Sequence, residues 1–119
     1  MHEFSFEKLN AWQRSRELVK LVYKITQKFP SGEKFGLINQ MRRAAVSISS
    51  NLAEGTSRSS KKDQAHFSQI SYGSLIEVLN QVILSLDLGF INIEDYELLR
   101  NKVEEVSNYI NNLRRSQLI

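Results

Sequence analysis

Nine basic side chains could do the most chemistry in this chain: Arg14, Lys20, Lys24, Lys28, Arg42, Arg43, Arg58, Lys61 and Lys62. Phosphate binding needs clustered Lys and Arg and little else, so such a set is a candidate nucleic-acid-binding surface. Lys20, Lys24 and Lys28 are spaced four apart, which puts them on one stripe of a helix. Arg42 and Arg43 are adjacent, and adjacent helical residues point about 100° apart. They cannot serve the same contact, so at least one is free for an outside partner or a second subunit. Aromatic residues that could stack on bases are few, and Trp12 and Phe67 read as core. Recognition by shape or charge is therefore expected rather than sequence reading. The plain alternative for any charge run is a solvated face.

The charge is unevenly placed. Residues 1–62 carry twelve Lys/Arg against five Asp/Glu, a net of +7, and residues 63–119 carry four against eight, a net of −4. This asymmetry predicts either a basic face for an anionic partner or two halves that pair with each other.

Catalytic patterns are sparse. Di-metal sites in helical bundles use paired Glu-x-x-His motifs plus further glutamates. Here there is a single Asp63-x-x-His66 near a helix start, so His66 reads as a surface residue and no metal or cofactor is expected. No Ser-His-Asp set or phosphate-binding glycine loop is present. The chain is expected not to be an enzyme.

The elements that must position these residues are helices. Leu9, Trp12, Val19, Val22, Thr26 and Phe29 predict one apolar side of a first helix, which "FPSG" ends. A second helix is expected from Phe35 or Leu37 to Glu54, with Met41, Ala45, Ile48 and Leu52 inward and Gly55 as its left-handed stop. Ser60 and Asp63 resemble a capping box opening a third helix, Lys61 to Leu88. Phe67, Ile70, Ser74, Leu75, Val78, Val82 and Leu86 are expected to face inward, and Gly89 to end it. Asn92 is expected to cap a fourth helix, with Ile91 and Tyr96 as a hydrophobic staple. Tyr96, Leu99, Val103, Val106, Ile110 and Leu113, at spacings of three and four, form its seam. No sustained period-two alternation exists, so no sheet is expected. Short connections between long helices favour an all-α, antiparallel, up-down-up-down four-helix bundle, one domain over residues 1–119.

"QMRRAAVSISSNLAEG" lies on the second helix. Gln40, Arg43, Ser47, Asn51 and Glu54 share one face, read as a polar network from Arg43 to Glu54. The small residues beside them predict a close approach to Gly73 and Ser74 of the third helix. A mid-helix glycine costs up to ~1 kcal/mol relative to alanine, so Gly73 is expected to have a packing reason.

Composition agrees with a single globular core: 41% hydrophobic, 24% charged, one proline and five glycines. Cysteine is absent, which excludes disulfides and thiolate metal sites. "MHEFSFEKLN" does not read as a signal peptide, and no apolar run approaches a membrane span, so a cytoplasmic location without membrane contact is expected.

Four stretches carry a family resemblance: "LNAWQRSREL", "FPSGEKFGLINQMRRAAVSISSNLAEG", "FSQISYGSLIEVLNQ" and "LGFI". Together they resemble the four-helix-bundle proteins encoded by intervening sequences within bacterial 23S ribosomal RNA genes. The resemblance covers nearly the whole chain. It implies a left-handed bundle that assembles with itself, commonly as a homopentamer, and a role with RNA or DNA. A related group assists a reverse transcriptase through a basic surface. One departure is Ser71-Tyr72, where family members often carry a small hydrophobic residue and alanine; Tyr72 is bulkier.

Two functions stand side by side. One is nucleic-acid binding through the basic residues. The other is a protein-protein scaffold, for which Leu18, Leu21, Ile25 and Leu79 lie off the main apolar stripes; these four also suit the monomer core. A ring displaying repeated basic patches would combine both.

Overall fold

The computed structural model describes residues 1–34 and 36–119. Four helices make the body: α1 (Asn10–Thr26), α2 (Leu37–Thr56), α3 (Lys61–Asp87) and α4 (Ile93–Gln117). Short 3-10 turns at Ser5–Lys8 and Ser31–Glu33 precede α1 and α2. No strand occurs among the described residues. The second helix starts at Leu37; the alternative start at Phe35 lies outside the described residues.

The helix ends follow from local chemistry. α1 stops at Thr26, and the next turn tightens into i to i+3 bonds, Lys28 N to Ile25 O at 3.0 Å and Phe29 N to Thr26 O at 3.1 Å, just before Pro30. Ser60 Oγ accepts from Asp63 N at 3.1 Å, and Asn92 Oδ1 accepts from Asp95 N at 2.7 Å. Both N-caps are those expected. Gly89 takes φ +74° after α3. There Gly89 N reaches Leu86 O and Phe90 N reaches Ser85 O, the paired bonds of a Schellman ending.

The helices are arranged as a four-cornered body. α1 meets α2 and α4, and α3 meets α2 and α4; among the described residues no Cα atoms of a diagonal pair come within 8 Å. Contacts between neighbours run in opposite numerical order. Ser47, Ile48 and Gly55 of α2 meet Ser74, Ser71 and Phe67 of α3. Arg14, Glu17 and Lys28 near or on α1 meet Glu105, Lys102 and Asp95 of α4.

Leu18, Met41, Ile48, Leu75, Leu99 and Ile110 are fully buried at the centre. Each contributes about 1.5–3 kcal/mol of transfer free energy. The α4 seam is as expected, with Leu99, Val103, Val106 and Ile110 buried and Tyr96 and Leu113 packed against them. The inward side of α1 is rotated from the expected stripe. Ala11, Ser15, Leu18, Val22 and Ile25 are buried, whereas Leu9, Trp12 and Val19 are half-buried. Leu18 and Ile25 thus belong to the monomer core, and Leu21 and Leu79 pack against it.

α3 departs further. Ile70, expected inside, is exposed, while Ser68, Ser71, Gln81 and Ser85 are buried. The reason is local satisfaction of hydroxyls. Ser85 Oγ donates to Gln81 O at 2.6 Å and Ser71 Oγ to Ile48 O at 2.8 Å, which removes the cost of burying them. Tyr72 is accommodated as a half-buried side chain against the core.

Neither of two glycines takes the role expected of it. Gly55 does not end α2; it is buried within it, and a Cβ there would lie 3.0 Å from Phe67 Cβ. Gly73 has no close neighbour: a Cβ there would meet nothing within 4 Å. The close approach of α2 and α3 therefore rests on Gly55 and on Ser74, whose hydroxyl meets Ser47 at 2.9 Å, and not on Gly73.

Candidate functional site

The nine cations fall into separate places. Lys20 and Lys24 are exposed, one turn apart on α1, beside a shallow groove shared with Glu17, Leu21 and Lys102. No acidic group lies within ion-pair distance of either among the described residues. Lys28 continues the stripe past the end of α1, but its Nζ is 3.0 Å from Asp95 Oδ2. Arg14, nearer the start of α1, pairs with Glu17 at 3.2 Å and Glu105 at 3.4 Å.

A second group surrounds the α2–α3 connection. Arg58 pairs with Glu54 at 3.1 Å, and its guanidinium lies 4.6 Å from the Phe67 ring centre. Lys61 and Lys62 are exposed and make no ion pair among the described residues. His66 is exposed near them, its ring 5.9 Å from Phe67. Among the described residues no group of three or more His, Cys, Asp or Glu could hold a metal ion.

Arg42 and Arg43 divide as their spacing requires. Arg42 is structural: its Nε donates to Thr26 Oγ1 at 2.9 Å, and it covers the Tyr23 ring at 4.5 Å. Arg43 is exposed on the α2–α3 face with no ion pair or hydrogen bond among the described residues. The expected polar network from Arg43 to Glu54 is not formed. Asn51 Nδ2 donates to Ser47 O at 2.8 Å and Ser47 Oγ at 3.1 Å, and Ser47 meets Ser74 at 2.9 Å. Glu54 turns away to Arg58, and Gln40 lies further along the same groove as Arg43.

Between α1 and α4 the charges are coupled. The Lys102 ammonium, with Arg14 adding to it, holds the Glu17 carboxyl below its ordinary value. Burial works to lower the Lys102 pKa, but its hydrogen bonds to Glu17 and Glu105 outweigh this and raise it. Tyr109 first, then Glu17, raise the Arg14 pKa. Lys20 and Lys24 therefore stand beside a neutralised cluster and supply the uncompensated positive charge there.

Sequence reading did not find two features. One is the groove of about 590 Å³ between α2 and α3, which joins Gln40 and Arg43 to Glu77 and Gln81. The spacing Ser74, Glu77, Gln81 on α3 mirrors Gln40, Arg43, Ser47 on α2, and was the available signal. The other is an exposed apolar row on α3 and the residue that caps its end: Ile76, Ile83, Leu84 and Leu88. No helix among the described residues is long and apolar enough to cross a membrane.

No curated protein matches the chain. In fold it is similar to the crystal structure of a protein of unknown function from the S23 ribosomal protein family of Bacteroides thetaiotaomicron. The two share 21% identity over 84% of this chain and 94% of that one, with a TM-score of 0.75. The family model described as 23S rRNA-intervening sequence protein matches residues 7–112, and the chain belongs to that family.

Proposed function

We propose that this protein is a non-enzymatic, self-associating bundle that binds the backbone of RNA or DNA. The observation that carries this reading is the pair Lys20 and Lys24: exposed, one turn apart, and without acidic partners, in a region whose other charges are already matched. A phosphate backbone rewards such cations by releasing its own counterions. Arg43, Lys61 and Lys62 supply further unpaired charge on other faces. A cyclic assembly, homopentameric as the family resemblance implies, would repeat each patch and gain avidity. The opposed contact order along neighbouring helices supports an antiparallel, up-down-up-down bundle; its left hand is what the family resemblance implies, and the cytoplasm is the location we propose for it. Binding of fluorescent RNA and DNA at low salt, with and without Lys20→Gln and Lys24→Gln, tests the reading. Absence of binding to either would sink it.

A second reading, a protein-binding scaffold, is favoured by the α3 row. Ile76, Ile83, Leu84 and Leu88 are each at least 36% exposed, large aliphatic side chains left in solvent along and just past one half of α3. A reverse transcriptase or another protein is then the partner class, and α3 the surface it covers.

A further inference from the structure

We propose that the corner between α1 and α2 takes unpaired nucleotides, one base stacking on the Tyr23 ring while Lys20 and Lys24 hold the backbone. This rests on the nucleic-acid reading above and names the form of polymer bound, a single strand and not a duplex. The reasoning starts from Tyr23. Of the Phe, Tyr and Trp side chains among the described residues, only Phe4 and Tyr23 are exposed, at 60% and 40%. Phe4 lies at the start of the chain, outside the four helices. Tyr23 lies on α1, three residues after Lys20 and one before Lys24.

The ring is held in place. The Arg42 guanidinium stands 4.5 Å from its centre, and Arg42 is itself fixed by a 2.9 Å bond from Nε to the Oγ1 of the fully buried Thr26. Arg42 occupies one face of the ring, and the exposed remainder is open to a base. A side chain already held this way loses little freedom when a ligand lands on it. Arginine has five N–H donors, so Arg42 keeps others for a phosphate.

The charge around the ring has one sign. Arg16, Lys20 and Tyr23, at spacings of four and three, share an exposed stripe of α1. Arg42 meets that stripe from α2. Arg16, Lys20, Lys24 and Arg42 make no ion pair among the described residues. Glu17 and Glu54 are the only acidic residues of α1 and α2, and each is turned to a cation elsewhere: Glu17 to Lys102 and Arg14, Glu54 to Arg58. A held aromatic ring bordered by uncompensated cations is the combination that binds single strands, with stacking for the bases and charge for the backbone. A duplex can use only the second part, because its base faces are covered by their neighbours and freeing one costs unstacking energy.

The test measures binding of the full chain to three probes at one low salt concentration: an oligodeoxythymidine strand, that strand paired with its oligodeoxyadenosine complement, and the same backbone carrying abasic sugars. The wild type should bind the strand with bases roughly fivefold or more tighter than the abasic one. Tyr23→Leu keeps apolar bulk and removes the aromatic face. It should weaken single-strand binding roughly fivefold or more and leave the duplex and the abasic strand unchanged, while Tyr23→Phe keeps the wild-type affinity. Should Tyr23→Leu fail to fold, the abasic comparison on the wild type decides alone. Equal affinity for the strand with bases and the abasic strand overturns the proposal, as does an equal loss on single strand and duplex in Tyr23→Leu; in both cases binding itself is seen and the backbone reading stands. Absence of binding to all three probes removes that reading and this inference with it.

Discussion

Ser47 and Ser74 meet oxygen to oxygen at 2.9 Å across α2 and α3. Two hydroxyls in contact keep the helices close without a large side chain between them. Two turns along the seam, Gly55 extends the same approach, with Phe67 Cβ only 3.0 Å from where a methyl group would stand. Gly73, next to Ser74, faces away.

The two glycines should therefore respond to alanine with opposite signs. Gly73→Ala places a methyl group in open space on a helix and removes the glycine penalty, a gain of ~0.5–1 kcal/mol and a few degrees in Tm. Gly55→Ala gains the same propensity but pushes on a Cβ fixed to the α3 backbone. Overpacking costs ~1–3 kcal/mol, so its Tm should fall. Thermal melts of both variants decide it; a rise at Gly55 or a fall at Gly73 would contradict the seam described.

Arg42 and Arg43 should separate stability from binding. Arg42→Gln removes a hydrogen bond to the buried Thr26 hydroxyl and a cation over Tyr23, at a cost of ~1–2 kcal/mol. Arg43→Gln should change stability by less than ~0.5 kcal/mol, because nothing in the chain depends on it. Denaturant midpoints of the two variants are the measurement. Equal losses would mean that Arg43 has a partner within the fold.

What the sequence made legible, and what it hid, follows from side-chain size. Asn92, Ser60 and Gly89 announce helix ends through chemistry that works locally, so their roles were readable. The α4 seam was readable because large aliphatic residues recur at one spacing. The inward faces of α1 and α3 were not, since Ser15, Ser68, Ser71 and Ser85 are buried and hydrophobic periodicity does not register a satisfied serine. Ile70 then looked like core and is not. The nine cations were visible as residues, but not which of them are already held: Lys28 by Asp95 and Arg14 by Glu105 depend on α1 meeting α4, 67 or more positions away in the chain.

The α1–α4 charge cluster predicts a pH response. Glu17 has a folded-state pKa below its ordinary 4.5, so its contribution is present above 4.5 and is lost as pH falls through the lower folded value. Lys102 is raised above 10.5, so its contribution is full below 10.5 and is lost as pH rises through the higher folded value. Both groups are near the surface, where pairs contribute only ~0.2–1 kcal/mol. Glu17→Gln should lower Tm slightly at neutral pH, and the gap to wild type should close below pH 4.5. A gap that persists unchanged into acid would show that the loss comes from packing.

The exposed apolar row on α3 predicts association. Light scattering should give a mass well above 13.8 kDa, and roughly five times that for a five-fold ring. Ile76→Glu with Ile83→Glu should reduce it, because each carboxylate would have to be buried in the interface. Both side chains face outward, so helix content should hold. A strict monomer at tens of micromolar would remove the ring, and an assembly indifferent to the double variant would move the interface off α3.

Salt dependence tests the nucleic-acid reading most directly. If Lys20 and Lys24 sit on phosphates, the logarithm of the binding constant should fall linearly with the logarithm of salt concentration. Each phosphate neutralised contributes about −0.9 to that slope on duplex DNA and ~−0.7 on single strands. Lys20→Gln with Lys24→Gln keeps the stems and removes two charges that make no ion pair, so stability should stay within ~0.5 kcal/mol. The slope should become shallower by roughly 1.4 to 1.8 units for each subunit engaged, and by the same amount on unrelated sequences. Lys28→Gln should do less, because its ammonium is already 3.0 Å from Asp95 and must leave that carboxylate to reach a phosphate. Loss of Lys28 having the larger effect would place the contact at the end of α1 instead of along it. An unchanged slope in the double variant, with binding intact, would move the contact to Arg43 or to Lys61 and Lys62.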